Sequence, residues 1–319
     1  MKNENRLDTS RVTDKVYKVF SYAAVIIIAI LFAFPLYWIV TGAFKPSGDI
    51  YATTPVWWPS EWVMDNFTKL MEKRSAPLFE ITFKALQVQF GKTIITLGKT
   101  IKIVGPTVPA VFRWLVNTVF MAVASLVITC LTSAMAGYVL AKKRFWGRGI
   151  IFGLIVCAMA LPKQVVLIPL VRLMNSLGLY DNIWAVIFPI VGWPFGVFLL
   201  RQFSEGIPTE MVEACRIDGA SEWRTFTDVM FPMIKPGVGA LAIFTFINSW
   251  NDYFMQLIML TSSSNLTISV GIATLQGESS TDFGILMAGA ALAAFPIIIV
   301  FLIFQKYFTK GITMGAVKG

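Results

Sequence analysis

Six stretches of the chain run almost without a charge, near 19 to 43, 114 to 141, 150 to 171, 182 to 200, 237 to 261 and 284 to 305. Each is long enough to cross roughly 30 Å of hydrocarbon at about 1.5 Å per residue of helix. The pattern predicts an all-α membrane protein of about six transmembrane helices. It places a tail over 1–18, a first span over 19–43, a long loop over 44–112, a membrane core over 113–309 and a second tail over 310–319. One part of the long loop has a different period. From Phe79 to Phe90 and from Ile94 to Val104 apolar and polar residues alternate in part, with Lys84, Gln87, Gln89, Lys99 and Lys102 interspersed. Period two favours short strands, so a small β insertion is expected there.

Composition makes lipid necessary. Hydrophobic residues are 56% and charged residues 14% of 319 positions, against about half and about a quarter in a soluble domain. The net charge of +9 does not point to nucleic acid, because no basic patch interleaves with exposed aromatics. The charges fall between the apolar runs and set topology instead, since Lys and Arg in short loops resist translocation. The amino-terminal tail has five (Lys2, Arg6, Arg11, Lys15, Lys18). Lys142, Lys143, Arg144 and Arg148 crowd one loop, four more lie between Arg201 and Lys235, and three follow the last run (Lys306, Lys310, Lys318). Between these, 172–181 carries only Arg172 and 262–283 carries none, so both termini are expected in the cytoplasm and 262–283 is expected to be an exterior loop. The eight basic residues of 44–112 do not oppose this, because that loop exceeds the length over which the rule acts. The first run is too long for a signal-peptide core and no A-x-A site follows it, so it is expected to remain as an anchor.

Histidine is absent, which removes His-based acid/base catalysis, a Ser/His/Asp triad and most zinc or haem sites. Cys130, Cys157 and Cys215 stand far apart and imply neither a disulfide nor a metal site. Gly91-Lys92-Thr93 and Gly98-Lys99-Thr100 look like P-loop ends, but the glycine required five residues earlier is Leu86 in one case and Thr93 in the other. No catalytic residue and no resident metal is expected. Lys163 is the one cation well inside an apolar run, flanked by Pro162 and Pro169. Either the broken helix borders a cavity, or the span bends near the interface and Lys163 snorkels to headgroups.

Between the fourth and fifth runs lies a polar stretch, 201–236, that reads as two short helices. Pro208 and Thr209 suit a helix start, Gly219 a left-handed stop, Ser221 a cap for the second helix and Pro232 its end. Glu213-Ala214-Cys215-Arg216-Ile217-Asp218-Gly219-Ala220-Ser221, with Val229 and Pro232, resembles the EAA motif of ABC importer permeases; Cys215 stands where a second alanine is usual. The Asp218-Gly219-Ala220 form is typical of their carbohydrate branch. Phe246-Ile247-Asn248-Ser249-Trp250-Asn251-Asp252-Tyr253-Phe254 is similar to the W-N-x-[FY] region of fifth spans in sugar permeases, and Gly311 to Gly319 to the G-x-x-x-G-A-V-K-G tail of second subunits of maltose-type systems. The stretch from Pro77 to Ala110 exceeds the family's usual first outer loop.

The resemblance implies one permease half of a bacterial inner-membrane importer for a sugar or oligosaccharide. Its implied partners are a second permease subunit, two ATPase subunits that hold ATP and Mg, an extracellular solute-binding protein and membrane lipid. This chain itself holds no cofactor. Glu213, Ala214, Cys215, Asp218, Gly219, Ala220 and Ser221 would carry coupling, with Glu213 as the salt-bridging residue toward the ATPase. Asn248, Trp250, Asn251 and Asp252 are candidate pathway residues, since amides beside aromatics suit sugars; the same residues could equally tie spans together. A self-contained secondary transporter is the alternative, and it predicts paired acids or inverted repeats in the spans.

Overall fold

The computed structural model describes residues 4–83, 86–90, 93–97, 101–276 and 282–316. Helix α1 (Glu4–Ala43) leads into a single turn, α2 (Ser47–Ile50), and a short helix, α3 (Asp65–Lys73). Six strands follow, β1 (Ser75–Pro77), β2 (Glu80–Phe83), β3 (Leu86–Phe90), β4 (Thr93–Leu97), β5 (Ile101–Val104) and β6 (Thr107–Pro109). The remaining helices are α4 (Ala110–Lys142), α5 (Arg148–Met159), α6 (Lys163–Ser176), α7 (Trp184–Val191), α8 (Pro194–Glu205), α9 (Thr209–Ile217), α10 (Glu222–Arg224), α11 (Phe231–Asn251), α12 (Tyr253–Met259), α13 (Ile268–Gln276) and α14 (Phe283–Ala316). Among the described residues five helices are long and apolar enough to span a membrane, and six if the bent pair α5–α6 forms one span. The chain divides into two compact units, Met1–Leu70 with Ser280–Ala291 and Met71–Ser279 with Leu292–Gly319.

In the smaller unit, Gly42 at the end of α1 lies so close to Met287 of α14 that an added Cβ would sit 2.0 Å from its sulfur. The chain after α1 is tied back on itself. The Asn66 amide donates to the carbonyls of Ala43 and Lys45 at 3.0 and 2.9 Å. Asp49 accepts from both the N–H and the hydroxyl of Ser60 at 2.8 Å, and the Ser60 N–H holds its carboxyl below the usual range.

The larger unit is organised on α4, whose pattern inverts that of a soluble helix. Its inward face carries small and weakly polar residues at helical spacing: Ala122, Ser125, Thr129, Ser133, Ala134 and Gly137 are buried. Its outward face, with Val119, Val123, Val127, Leu131 and Met135, is exposed and apolar, as a lipid-facing surface must be. Without a hydrophobic drive between helices in lipid, small residues supply association by letting backbones approach. Gly137 does so against α8, where a Cβ would stand 2.7 Å from the Arg201 backbone nitrogen. Gly196 of α8 answers it, packing on Ser133 and Leu241.

The β insertion is one ribbon, not a set of separate strands. β1 pairs with β6, β2 with β5 and β3 with β4, all antiparallel and nested. Bonds from Leu78 N–H to Pro106 and from Gly105 N–H to Phe79 join the first two ladders in a single register. The register of the third ladder differs from that of the second by one residue, since two residues separate β2 from β3 and three separate β4 from β5. Gly91-Lys92, Gly98-Lys99-Thr100 and the final residues 317–319 of the tail lie outside the described residues.

Two expectations change. The interval 262–283 is not merely a loop: α13 lies within it, with Ile268, Val270 and Gly271 buried and Gly271 seated against the Trp114 indole. Nine residues cannot span a bilayer, so a search for long apolar runs passes over it. Pro232 also does not end a helix. The chain is helical from Glu222 to Asn251, and Thr225–Met230 forms a π turn, with the Phe231 N–H bonded to the Phe226 carbonyl. That wider turn admits a proline which has no N–H to donate and whose ring would crowd an ordinary α turn.

Replacing Gly137 by valine is expected to overpack the α4–α8 contact at a cost of about 1–3 kcal/mol. It should lower the melting temperature of the detergent-solubilised protein, whereas valine at exposed Gly149, with open space around it, should leave it nearly unchanged. Equal melting temperatures would contradict the close approach.

Candidate functional site

Three helix breaks meet at one place in the larger unit. α5 and α6 are bent by 106° across a short break that ends at Pro162, so Lys163 opens α6. α7 and α8 part at Gly192-Trp193, where Trp193 is extended (φ −68°, ψ 125°) and Pro194 begins the next helix. α11 ends at Asp252 (φ −76°, ψ 69°), whose carboxylate caps α12 by accepting from the Met255 N–H. Lys163 Nζ lies 3.2 Å from Asp252 Oδ2 and 3.4 Å from the centre of the Trp193 ring. The ammonium is thus engaged by two protein groups. A cation at a helix N-terminus meets an adverse dipole, and both the carboxylate and the ring face offset it.

Two cavities adjoin this pair. One, of about 220 Å³, is lined by Thr129, Trp193, Phe195, Phe244, Thr245, Asn248 and Ser249 as well as the pair. The other, of about 510 Å³, runs past Val166, Leu170, Phe188 and Met255 and shares Lys163, Trp193 and Asp252 with the first. Of the four pathway candidates, Asn248 and Asp252 line the cavity, one helical turn apart. Trp250 and Asn251 do not: Trp250 is 1% exposed and packs on Phe246 with ring centres 5.4 Å apart, while the Asn251 amide donates to its own helix at Ile247. Lys163, marked in the sequence beside Pro162 with a cavity as one of its two readings, does line both cavities, whereas Trp193 and Thr129 were not singled out. The Gly192-Trp193-Pro194 triplet was the available signal for Trp193.

A second cluster surrounds the polar helix pair. α9 ends in a Schellman turn, with Ala220 N–H bonded to Cys215 and Gly219 N–H to Arg216, and Gly219 adopts φ +74°, the conformation that favours glycine. Ser221 then caps α10 by accepting from the Arg224 N–H at 3.3 Å. Glu213, Ala214, Asp218 and Gly219 are exposed, and Cys215 and Ala220 are half-buried. Ile217 is 87% exposed and Trp223 64%, a large apolar area on an otherwise polar element. Val212 and Phe226 anchor the pair by their opposite face in a core with Tyr138, Ile207, Met230 and Ile234. Glu222, which the motif did not mark, is the hub. It pairs with Lys143, accepts from the Tyr138 hydroxyl at 3.1 Å and meets Arg216 at 3.4 Å.

A third set of contacts fixes the loop before α13. The Arg113 guanidinium donates to Ser264 and Leu78 carbonyls, the Trp114 indole to Ser263 at 2.8 Å and the Asn117 amide to Ser264 and Leu266. Asp181, in the left-handed region at φ 57°, accepts from the N–H groups of Thr261 and Ser262 at 2.8 and 2.9 Å. Burial pushes its carboxyl up, but the Ser262 hydroxyl and these N–H groups outweigh that and leave it below the usual carboxylate range.

Several broken apolar helices around open, mainly apolar cavities that share one ion pair, together with an exposed polar helix pair, are the features of a polytopic transport protein. The chain belongs to the family described as the binding-protein-dependent transport system inner membrane component, whose model matches residues 131–314. It is 32% identical over 92% of its length, and 93% of the relative's, to the arabinooligosaccharides transport system permease protein AraQ of Halalkalibacterium halodurans. It is 26% identical over 96% of its length, and 91% of the relative's, to the diacetylchitobiose uptake system permease protein NgcG of Streptomyces coelicolor. In fold it is similar to a chain of a bacterial ABC transporter involved in the import of the acidic polysaccharide alginate, with a TM-score of 0.72 at 20% identity over 93% of this chain and 98% of that one. It is thus a carbohydrate-uptake ABC importer permease, a non-catalytic multi-pass membrane subunit. A self-contained secondary transporter is set aside.

Because the folded Asp181 carboxyl is held below its ordinary value, its contribution is complete above that ordinary value and is lost as pH falls through the folded one. The protection of the Thr261 and Ser262 amides, measured as the exchange rate relative to the intrinsic rate at each pH, should fall over that acidic window in the native protein. Asp181→Asn should exchange faster already at neutral pH and show a flatter acid response; identical profiles would refute the lock.

Proposed function

We propose that this subunit forms one half of the solute pathway in an ATP-driven, binding-protein-dependent importer for an oligosaccharide, working by alternating access. The observation that carries the reading is the α9–α10 pair. It exposes Ile217 and Trp223 to one side while Glu222 binds it to Lys143 and Tyr138 at the end of α4. A rigid element with an apolar outer face and a charged anchor is suited to receive force from a partner and pass it to the spans. The partner would be an ATPase subunit, one of two, holding ATP and Mg, with Glu213 bridging to it. A second, related permease would complete the pathway. The solute would enter from an extracellular binding protein, for which the β ribbon and the loop fixed by Asp181 and Arg113 offer an exterior platform.

Oligosaccharides are favoured because relatives in this family carry arabinooligosaccharide and diacetylchitobiose uptake in their names, and because Asn248, Ser249, Thr129 and Thr245 line the cavity beside Trp193 and Phe244. Amides and hydroxyls meet sugar hydroxyls; ring faces meet the apolar side of a pyranose or furanose.

Gly219→Val would force a β-branched residue into positive φ, strain of about 1–3 kcal/mol, and Glu213→Lys would reverse an interfacial charge. Both proteins are expected in the membrane at normal levels, with ATPase recovery in affinity pull-downs and uptake of the sugar each reduced by about tenfold or more. Normal pull-down and uptake in both variants would make α9–α10 an ordinary packed loop. For topology, cysteines are placed at Trp146, which is 94% exposed, and at exposed Thr261, in a background lacking the native cysteines. An impermeant maleimide applied to intact cells should label position 261 and spare 146; the reverse pattern would invert the orientation.

A further inference from the structure

Lys163 and Asp252 are the only charged residues among those lining either cavity. Everything else around them is apolar, aromatic or neutral and hydrogen-bonding, and apolar walls screen a charge poorly. Each member of the pair is also held by something else. Asp252 is committed through Oδ1 to capping α12 and through Oδ2 to Lys163. The Lys163 ammonium is held against the Trp193 ring face and cannot leave its carboxylate without standing alone at the N-terminus of α6, where the helix dipole opposes it. Two opposite charges locked together where three spans break make a passage with strong local polarity and no net charge.

We propose that the Lys163–Asp252 pair is a specificity determinant that keeps the passage electrically neutral, so that it admits uncharged saccharides and turns away acidic ones. Lys163 is the latent anion site. With Asp252 neutralised, the same cavity presents an uncompensated ammonium beside an aromatic ring and an amide, a site fit for a uronate-bearing saccharide. With Lys163 neutralised, the carboxylate makes it selective for cations. The inference rests on the cavity being the solute passage of the importer described above.

The charge can be read without knowing the sugar. Asn248 lines the same cavity one turn from Asp252, so Asn248→Cys, in a full-length chain whose Cys130, Cys157 and Cys215 are replaced by alanine, serves as a reporter in native membranes. Its reaction rates with a sulfonate-bearing and a trimethylammonium-bearing methanethiosulfonate are compared, each normalised to a cysteine at exposed position 146. A unit charge about 6 Å away at an effective dielectric of about 40 changes the local concentration of a charged reagent by about tenfold, in opposite senses for the two. With the pair intact the normalised ratio should lie within about threefold of unity. Asp252→Asn, which keeps the cap acceptor, should move it at least about tenfold toward the sulfonate, and Lys163→Met at least about tenfold toward the ammonium. The double variant should return near unity. Ratios that do not separate, or a reporter that neither reagent reaches in any background, would overturn the proposal; if one single variant fails to reach the membrane, the other single and the double decide. These rates need no ATPase and no transport, so a failure of coupling leaves them unchanged, and a failure of the ratios leaves the importer reading standing.

Discussion

The governing constraint is that hydrocarbon offers no hydrogen-bond partner to an exposed backbone group or charge, so a helix can be interrupted at depth only where protein covers the gap. This chain interrupts three spans and brings the gaps together. Pro162, Pro194 and Asp252 each begin a new helical segment with a residue that needs no preceding backbone donor or supplies its own cap. The side chains at the gaps, Lys163, Trp193 and Asp252, satisfy one another. A cavity bounded by unwound backbone follows from that solution.

The inward face of α4 is the second support. Ser125, Thr129, Ser133 and Gly137 are not there for burial energy, which lipid would supply equally to leucine, but for proximity. Close contact of α4 with α8 and α11 sets the distance at which Thr129 on one helix and Asn248 on another border the same space. At the far end of α4, Tyr138 and Lys143 receive Glu222. One helix therefore borders the cavity at Thr129 and meets Glu222 at Tyr138, about 14 Å further along at 1.5 Å per residue.

Much of this was legible in the residues. Charge-free runs located the long apolar helices, Gly219 and Ser221 located the turn between α9 and α10, and period-two alternation located the β ribbon; all three rest on local rules that a sequence displays directly. What was not legible depends on residues far apart in the chain. Lys163 and Asp252 are 89 positions apart, and nothing in either neighbourhood says they meet. Trp250 sits in a motif rich in polar residues yet turns inward, because helix phase, not composition, decides which side faces the cavity. Helix α13 escaped because it is apolar but too short to register as a span, and Glu222 because its importance lies in three partners drawn from two other segments.

The π turn at Thr225–Met230 has a geometric consequence beyond admitting Pro232. An i→i+5 turn stores one residue more than an α turn, so it rotates everything after it by about 100° relative to an uninterrupted helix. Glu222 lies before that offset, and Asn248 lies after it on the same continuous rod, which stops at Asn251, one residue before Asp252. The turn thus acts as an angular setting: it fixes the azimuth at which the end bound to Lys143 and the end bound to Lys163 present their carboxylates to different neighbours. Any residue gained or lost between the two ends would turn one against the other by about 100° and slide it by about 1.5 Å, and the wide turn holds that extra residue without breaking the rod.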